Sequence, residues 1–313
     1  MGLALGGGGA RGFAHIGVIR TLIANGIKPD VIVGTSIGAV VGGCHAAGRL
    51  DVLEHWARGL TRRGLLSYLD ISLSGSGLIG GGKLAAQLEK ALGDTRIEAL
   101  PLRFATITTE VGTGHEIWLT RGRVVDAMRA SYALPGIFPP VALDGRWLVD
   151  GALVNPVPVS AARVFGARLV IAVNLNSDIL GRSITMAGES PAPSDEATEV
   201  EAAQQPRGLR VLFSFERMLK RQFVGGPRRP GIPTVMVDAF NIMQDRITRA
   251  RLAGDPPDVT LSPRLGHVGW FDFHRAQEAI DAGARATERT LELIAEAIAA
   301  LGARPAPVTP AVK

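Results

Sequence analysis

The sequence predicts an α/β fold built around a mostly parallel sheet, and three stretches carry that prediction. Residues 2–5, 31–33 and 169–175 are short apolar runs. The first two lead through glycine turns into helical patterns, as strand–helix–strand units do. The third, LVIAVNL, is apolar at every position but Asn174, as suits a strand buried on both faces. With 313 residues, 46% hydrophobic and 20% charged, the chain can bury such a core in a single domain. Its 39 glycines follow no period, which excludes a fibrous protein.

In chain order, 2–5 is strand one, 6–12 a glycine loop, and 13–25 a helix with Ile16, Ile19, Leu22 and Ile23 at helical spacing. Residues 31–33 form strand two. Helices are expected at 37–47 and 51–60, the second capped by Asp51. A flexible loop covers 72–82 and another helix 83–92. Residues 104–111 and 116–119 read as a hairpin, followed by a helix over 124–131 and a turn-rich loop, Leu134-Pro135-Gly136-Ile137-Phe138-Pro139-Pro140. A short strand, 147–149, delivers Asp150. A helix over 159–165, the strand 169–175, a helix over 234–251, a strand at 259–261 and one long helix over 273–301 complete the pattern. The polar run 176–206 reads as a flexible insert within one domain spanning 1–302, with 303–313 as a disordered tail.

Composition narrows the function. Aromatics are 5%, too sparse for a base-stacking platform, so no nucleic-acid partner is expected. The net charge of +5 suits an anionic partner. Residues 207–229 concentrate that charge, with seven basic side chains and one acid among bulky apolar residues. Two readings stand for them: contact with an anionic membrane surface, or a helix packed on the core with a solvated basic face. The lone Cys44 forms no internal disulfide and reads as a core thiol in a reducing compartment. The opening residues lack a signal-peptide pattern, Gly6 stands where myristoylation requires Ser or Thr, and no window reaches the ~18 apolar residues of a membrane span. A cytoplasmic protein, peripheral on the inner membrane face at most, is expected.

The chemistry is concentrated in three motifs. Gly34-Thr35-Ser36-Ile37-Gly38 follows a strand and opens a helix, the pattern of a nucleophile elbow. Gly34 and Gly38 allow the tight turn, and Ser36 lies at a helix N-terminus that favours developing negative charge. Gly7-Gly8-Gly9-Ala10-Arg11-Gly12 fits the dinucleotide fingerprint G-x-G-x-x-G, but that fingerprint requires an acid at the end of strand two, where Gly34-Thr35-Ser36 stands instead. The loop is better read as an oxyanion hole, with backbone N–H groups of Gly7, Gly8 and Gly9 aimed at a tetrahedral intermediate. Arg11 has three readings: tying the loop down, holding an anionic head group, or a plain solvated arginine. Asp150-Gly151-Ala152 puts a carboxylate at a strand end, where it serves either as an ordinary Asp-Gly turn or as the base for Ser36. An alternative base is His267, since the order Ser36, Asp150, His267 copies an α/β-hydrolase triad. His15, His45, His55, His115 and His274 sit on ordinary helical or strand patterns. No His/Cys cluster suggests a metal, and no cofactor is expected.

Together the three motifs and the Leu134–Pro140 loop resemble the patatin-like phospholipases, in particular short bacterial members related to neuropathy target esterase. The likeness covers residues 2–175 well and the remainder loosely. It implies a three-layer α/β fold with helices on both faces of the sheet. It also implies a Ser-Asp dyad, with Ser36 as nucleophile, Asp150 as base and 7–11 as oxyanion loop, acting on acyl esters of phospholipids or lysophospholipids. The chain departs from many members at Gly6, where they carry an acid.

Overall fold

The computed structural model describes residues 1–61, 82–178 and 232–303. The chain divides into two compact units, 1–179 together with 243–313, and 180–242. The second unit is described only at 232–242, where helix α7 (Ile232–Gly254) begins. The basic segment 207–229, the residues of the expected insert beyond 178, most of the loop 72–82 and the tail from 304 lie outside the described residues.

The first unit holds an eight-stranded sheet: β1 (Gly2–Leu5), β2 (Val31–Thr35), β3 (Arg103–Glu110), β4 (Glu116–Leu119), β5 (Val141–Leu143), β6 (Arg146–Asp150), β7 (Val170–Val173) and β8 (Val259–Leu261). The order is β5-β6-β3-β2-β1-β7-β8, with β4 also paired to β3. The run from β3 through β2, β1 and β7 to β8 is parallel, while β4, β5 and β6 enter antiparallel. Alternate residues along the central strands feed two cores, one on each face. Leu3, Leu5, Ile32, Phe104, Ile171 and Val173 join the larger core, and Ala4, Val31, Val33, Ala105, Ile107 and Val170 the smaller. The period-2 geometry of a strand produces this division and makes the molecule three-layered.

Over the larger core lie α1 (Ala14–Ala24), α2 (Ile37–Ala46), α3 (Leu50–Arg58), α5 (Val124–Tyr132) and α8 (Ala276–Glu288), all of which contribute buried residues to it. Helices α4 (Gly82–Leu92) and α9 (Leu291–Ala303) add Leu88, Leu92 and Ile294. Short α6 (Val159–Val164) covers the other face with Val159, Ala161 and Ala162.

Four expectations need correction. Asp51 does not cap α3; Arg49 holds that position, and Asp51 lies in the first turn, paired with Arg20. Strand β5 was not expected, although Asp144-Gly145, with φ of 48° and 75°, forms a two-residue turn of the kind that joins hairpin strands. The long C-terminal helix is broken between α8 and α9, where Thr290 N–H turns back to Thr287 O at 2.9 Å and Thr290 Oγ1 donates to Ala286 O at 2.9 Å. A threonine hydroxyl competes in this way for helix carbonyls. Finally, residues 176–178 are part of the ordered body, with Asn176 buried and Asp178 accepting from Gly266 N–H at 2.9 Å.

Candidate active site

Ser36 is placed by the junction of β2 and α2. Its backbone has φ 56° and ψ −125°, angles an L-residue rarely adopts, which turn the chain sharply from strand to helix. The flanking glycines make room for the turn. A Cβ on Gly34 would lie 2.5 Å from Ala39 N, and one on Gly38 would overlap Leu5 O at the end of β1.

Asp150 reaches the same point from the opposite direction. On β3, Ile107 pairs with Thr35 of β2, and the next residue, Thr108, pairs with Asp150 of β6. Strand β4 occupies the other edge of β3 across Thr106–Thr109, so β2 and β6 meet end to end along one edge. Ser36 Oγ donates to Asp150 Oδ2 at 2.6 Å, and Ala152 N–H donates to Asp150 Oδ1 at 2.8 Å. Asp150-Gly151-Ala152 is therefore both a turn and a partner for serine. Gly151 is required because a side chain there would overlap Ile107 O. Asp150 is fully buried, and loss of water pushes its carboxyl up to about 7, against the opposing pull of the Ser36 and Ala152 hydrogen bonds.

The glycine loop closes the third side. A methyl on Gly7 would sit 3.3 Å from Ala152 Cβ and 3.4 Å from Ser36 Cβ, so all three motifs converge there. The peptide between Gly6 and Gly7 is gripped at both ends: His15 Nε2 bonds Gly6 O at 2.8 Å, and Gly7 N–H donates to Pro156 O at 3.0 Å. Ala10 N–H is likewise engaged, with Trp270 O at 2.9 Å. Among the described residues, the N–H groups of Gly8 and Gly9 have no protein partner. Arg11 Nε donates to Gly8 O at 3.0 Å, and the guanidinium lies 5.8 Å from the Trp270 ring centre. In a trans peptide the Gly9 N–H points away from the Gly8 carbonyl, so this bond turns the Gly9 donor outward. Arg11 is buried, so the reading as a plain solvated arginine fails, and its bond to Gly8 O fits tying the loop down. Burial lowers its pKa to about 10, with Asp178 acting the other way.

The histidines are elsewhere. His267 is exposed and bonds Glu278 at 2.5 Å, not Asp150. His15 is wholly buried and held neutral, its pKa pushed down to about 4 by desolvation. Cys44 is buried and its thiol is pushed up to about 12 by the same cause. Two contributors escaped the sequence reading. His15 supports the loop, and Ser131 Oγ accepts from Ser36 N–H at 2.8 Å while donating to Ile107 O at 2.7 Å.

A strained serine bonded to a buried carboxylate beside two open backbone donors is an arrangement suited to acyl transfer. The family follows from comparison with known proteins. The model of the patatin-like phospholipases matches residues 3–163, more than half of the chain. An uncharacterized NTE family protein of Mycobacterium tuberculosis is 34% identical over 333 residues, covering 93% of this chain and 91% of that one. A lysophospholipase NTE1 of Yarrowia lipolytica is 37% identical over 182 residues, 56% of this chain but 13% of its own length. Among solved structures, VipD from Legionella pneumophila aligns with a TM-score of 0.48 and 14% identity, covering 94% of this chain and 66% of that one. The chain belongs to the patatin-like phospholipase family, and its class is that of a lipid hydrolase. Among the described residues, no helix is long and apolar enough to cross a membrane.

Proposed function

We propose that the chain hydrolyses fatty-acyl esters of phospholipids or lysophospholipids through a Ser36-Asp150 dyad and an acyl-enzyme. The observation that carries this reading is the 2.6 Å hydrogen bond from Ser36 Oγ to the fully buried Asp150. As Oγ attacks the ester carbonyl, its proton passes to Asp150 Oδ2. The oxyanion that forms is met by Gly8 and Gly9 N–H; losing one such donor costs about 10²–10³ in rate. Collapse breaks the ester C–O bond, the leaving alcohol takes the proton from Asp150, and acyl-Ser36 remains. Water then repeats the sequence, giving its proton to Asp150 and releasing the fatty acid as Ser36 is reprotonated. Gly7, Ala10 and Arg11 act here by shaping the loop, because their polar groups are engaged within the protein.

The name of the Yarrowia relative, a lysophospholipase, supports a single-chain lipid as substrate. Turnover of a short-chain p-nitrophenyl ester tests the mechanism. Ser36→Ala and Asp150→Asn should each abolish it, and His267→Ala should leave it unchanged. Full activity in Asp150→Asn would sink the dyad, and loss on His267→Ala would restore the triad. Labelling of wild-type Ser36 by a fluorophosphonate probe separates this reading from a lipid-binding protein with a dead site.

A further inference from the structure

Ser131 lies in the last turn of α5 and is fully buried. Its hydroxyl is the side chain that receives the amide of the candidate nucleophile, Ser36 N–H, at 2.8 Å. Its own proton goes to Ile107 O at 2.7 Å, so both ends of the hydroxyl are committed to backbone. Ile107 is the β3 residue beside Thr35, and the following residue of β3 pairs with Asp150. The bridge therefore ties the nucleophile to the point on β3 that also registers the base. Two residues further on, Ala133 O accepts Asp150 N–H at 3.0 Å. One helix end thus holds the amides of both dyad residues.

Ser36 needs such a hold. Its φ of 56° lies where L side chains are strained, and strained angles persist only when surrounding contacts over-determine them. Without the hydroxyl, the Ser36 amide and the Ile107 carbonyl would be buried with a bond missing from each, and the elbow could rotate toward relaxed angles. The displacement would fall on Oγ, whose separation from Asp150 is 2.6 Å.

We propose that Ser131 is a positioning residue, a hydroxyl bridge from the Ser36 amide to Ile107 that fixes the strained elbow at proton-transfer distance from Asp150. It touches neither substrate nor the reacting atoms. The proposal rests on the dyad reading, which the Asp150→Asn variant tests separately.

The test is the kinetics of Ser131→Ala and Ser131→Thr on a short-chain p-nitrophenyl ester, with thermal melting to confirm the folded state. A misplacement on the order of 1 Å can cost about 10²-fold in rate. Ser131→Ala should therefore lose about 10²-fold in kcat with KM within about twofold of wild type. Ser131→Thr, which restores the hydroxyl, should recover most of that loss. If Ser131→Ala does not fold, Ser131→Cys keeps the volume with a much weaker hydrogen-bonding group and must show the same split. Wild-type kcat in the Ala variant overturns the proposal, as does a loss that Thr does not rescue. In either case an inactive Asp150→Asn leaves the dyad standing, whereas an active one removes it.

Discussion

Asp150 carries two opposing demands. The proposed mechanism requires it ionised, yet burial holds its carboxyl at about 7, well above an ordinary aspartate. Below that pH the protonated form cannot take up the Ser36 proton, so kcat/KM should rise with pH through a midpoint near 7, measurable on a neutral ester. The same shift sets a stability trend. Between about 4 and 7 the folded state keeps a proton that the unfolded chain has released, so stability falls as pH rises across that window and stays lowered above it. Asp150→Asn removes the penalty. By calorimetry it should melt above wild type at pH 8, by a margin on the order of a few kcal/mol, and lose that advantage at pH 4. A buried carboxylate maintained at the expense of stability is what the proposed role of Asp150 as base would entail, in line with the common trade-off between activity and stability. Ser36 and Asp150 were legible in the sequence because strand, turn and glycine surround each of them. Ser131 and His15 were not, since each acts on a backbone atom brought near by folding, 95 positions away for Ser131 and 9 for His15.

At the scale of elements, α1 and α8 pack backbone against backbone. A Cβ on Gly17 would overlap Ile280 O, and one on Gly283 would overlap Ala14 O, so each helix presents a glycine to the backbone of the other. Gly17→Ala should lower stability by about 1–3 kcal/mol through overpacking, read as a lower melting temperature. Because Ala14 and His15 open α1, activity should fall with it as His15 moves off Gly6 O. Longer elements were readable from their periodicity. The three-residue β5 was not, because it follows directly on the turn-rich Pro139-Pro140, and neither was the break before Leu291, because a threonine in a helical run is unremarkable until its hydroxyl finds a carbonyl.

The candidate site leans on chain well beyond the segment that carries its motifs. Ser36, Asp150 and the glycine loop all fall within residues 3–163, the range the family model matches. Their supports do not. Strand β1, which carries the loop, is paired on one edge by β7, and Gly6 and Ala10 donate to Val173 O and Trp270 O. A chain ending after Phe165 would leave that edge of β1 bare and the loop untied. Such a chain should aggregate on size-exclusion chromatography and show no esterase activity, although it retains every motif. Local pattern identified β7 only as a strand and placed Trp270 in no element, since what they hold is fixed by the folded chain.

The end-to-end meeting of β2 and β6 on β3 has an evolutionary corollary. Ser36 and Asp150 are 114 positions apart, but their spacing is dictated by two consecutive residues of one strand, Ile107 and Thr108. The intervening chain can lengthen, shorten or acquire new segments without retuning the pair, provided β3 keeps its register. Descendants of such a scaffold are free to diversify the chain around the pair while inheriting an unaltered Ser36-Asp150 contact.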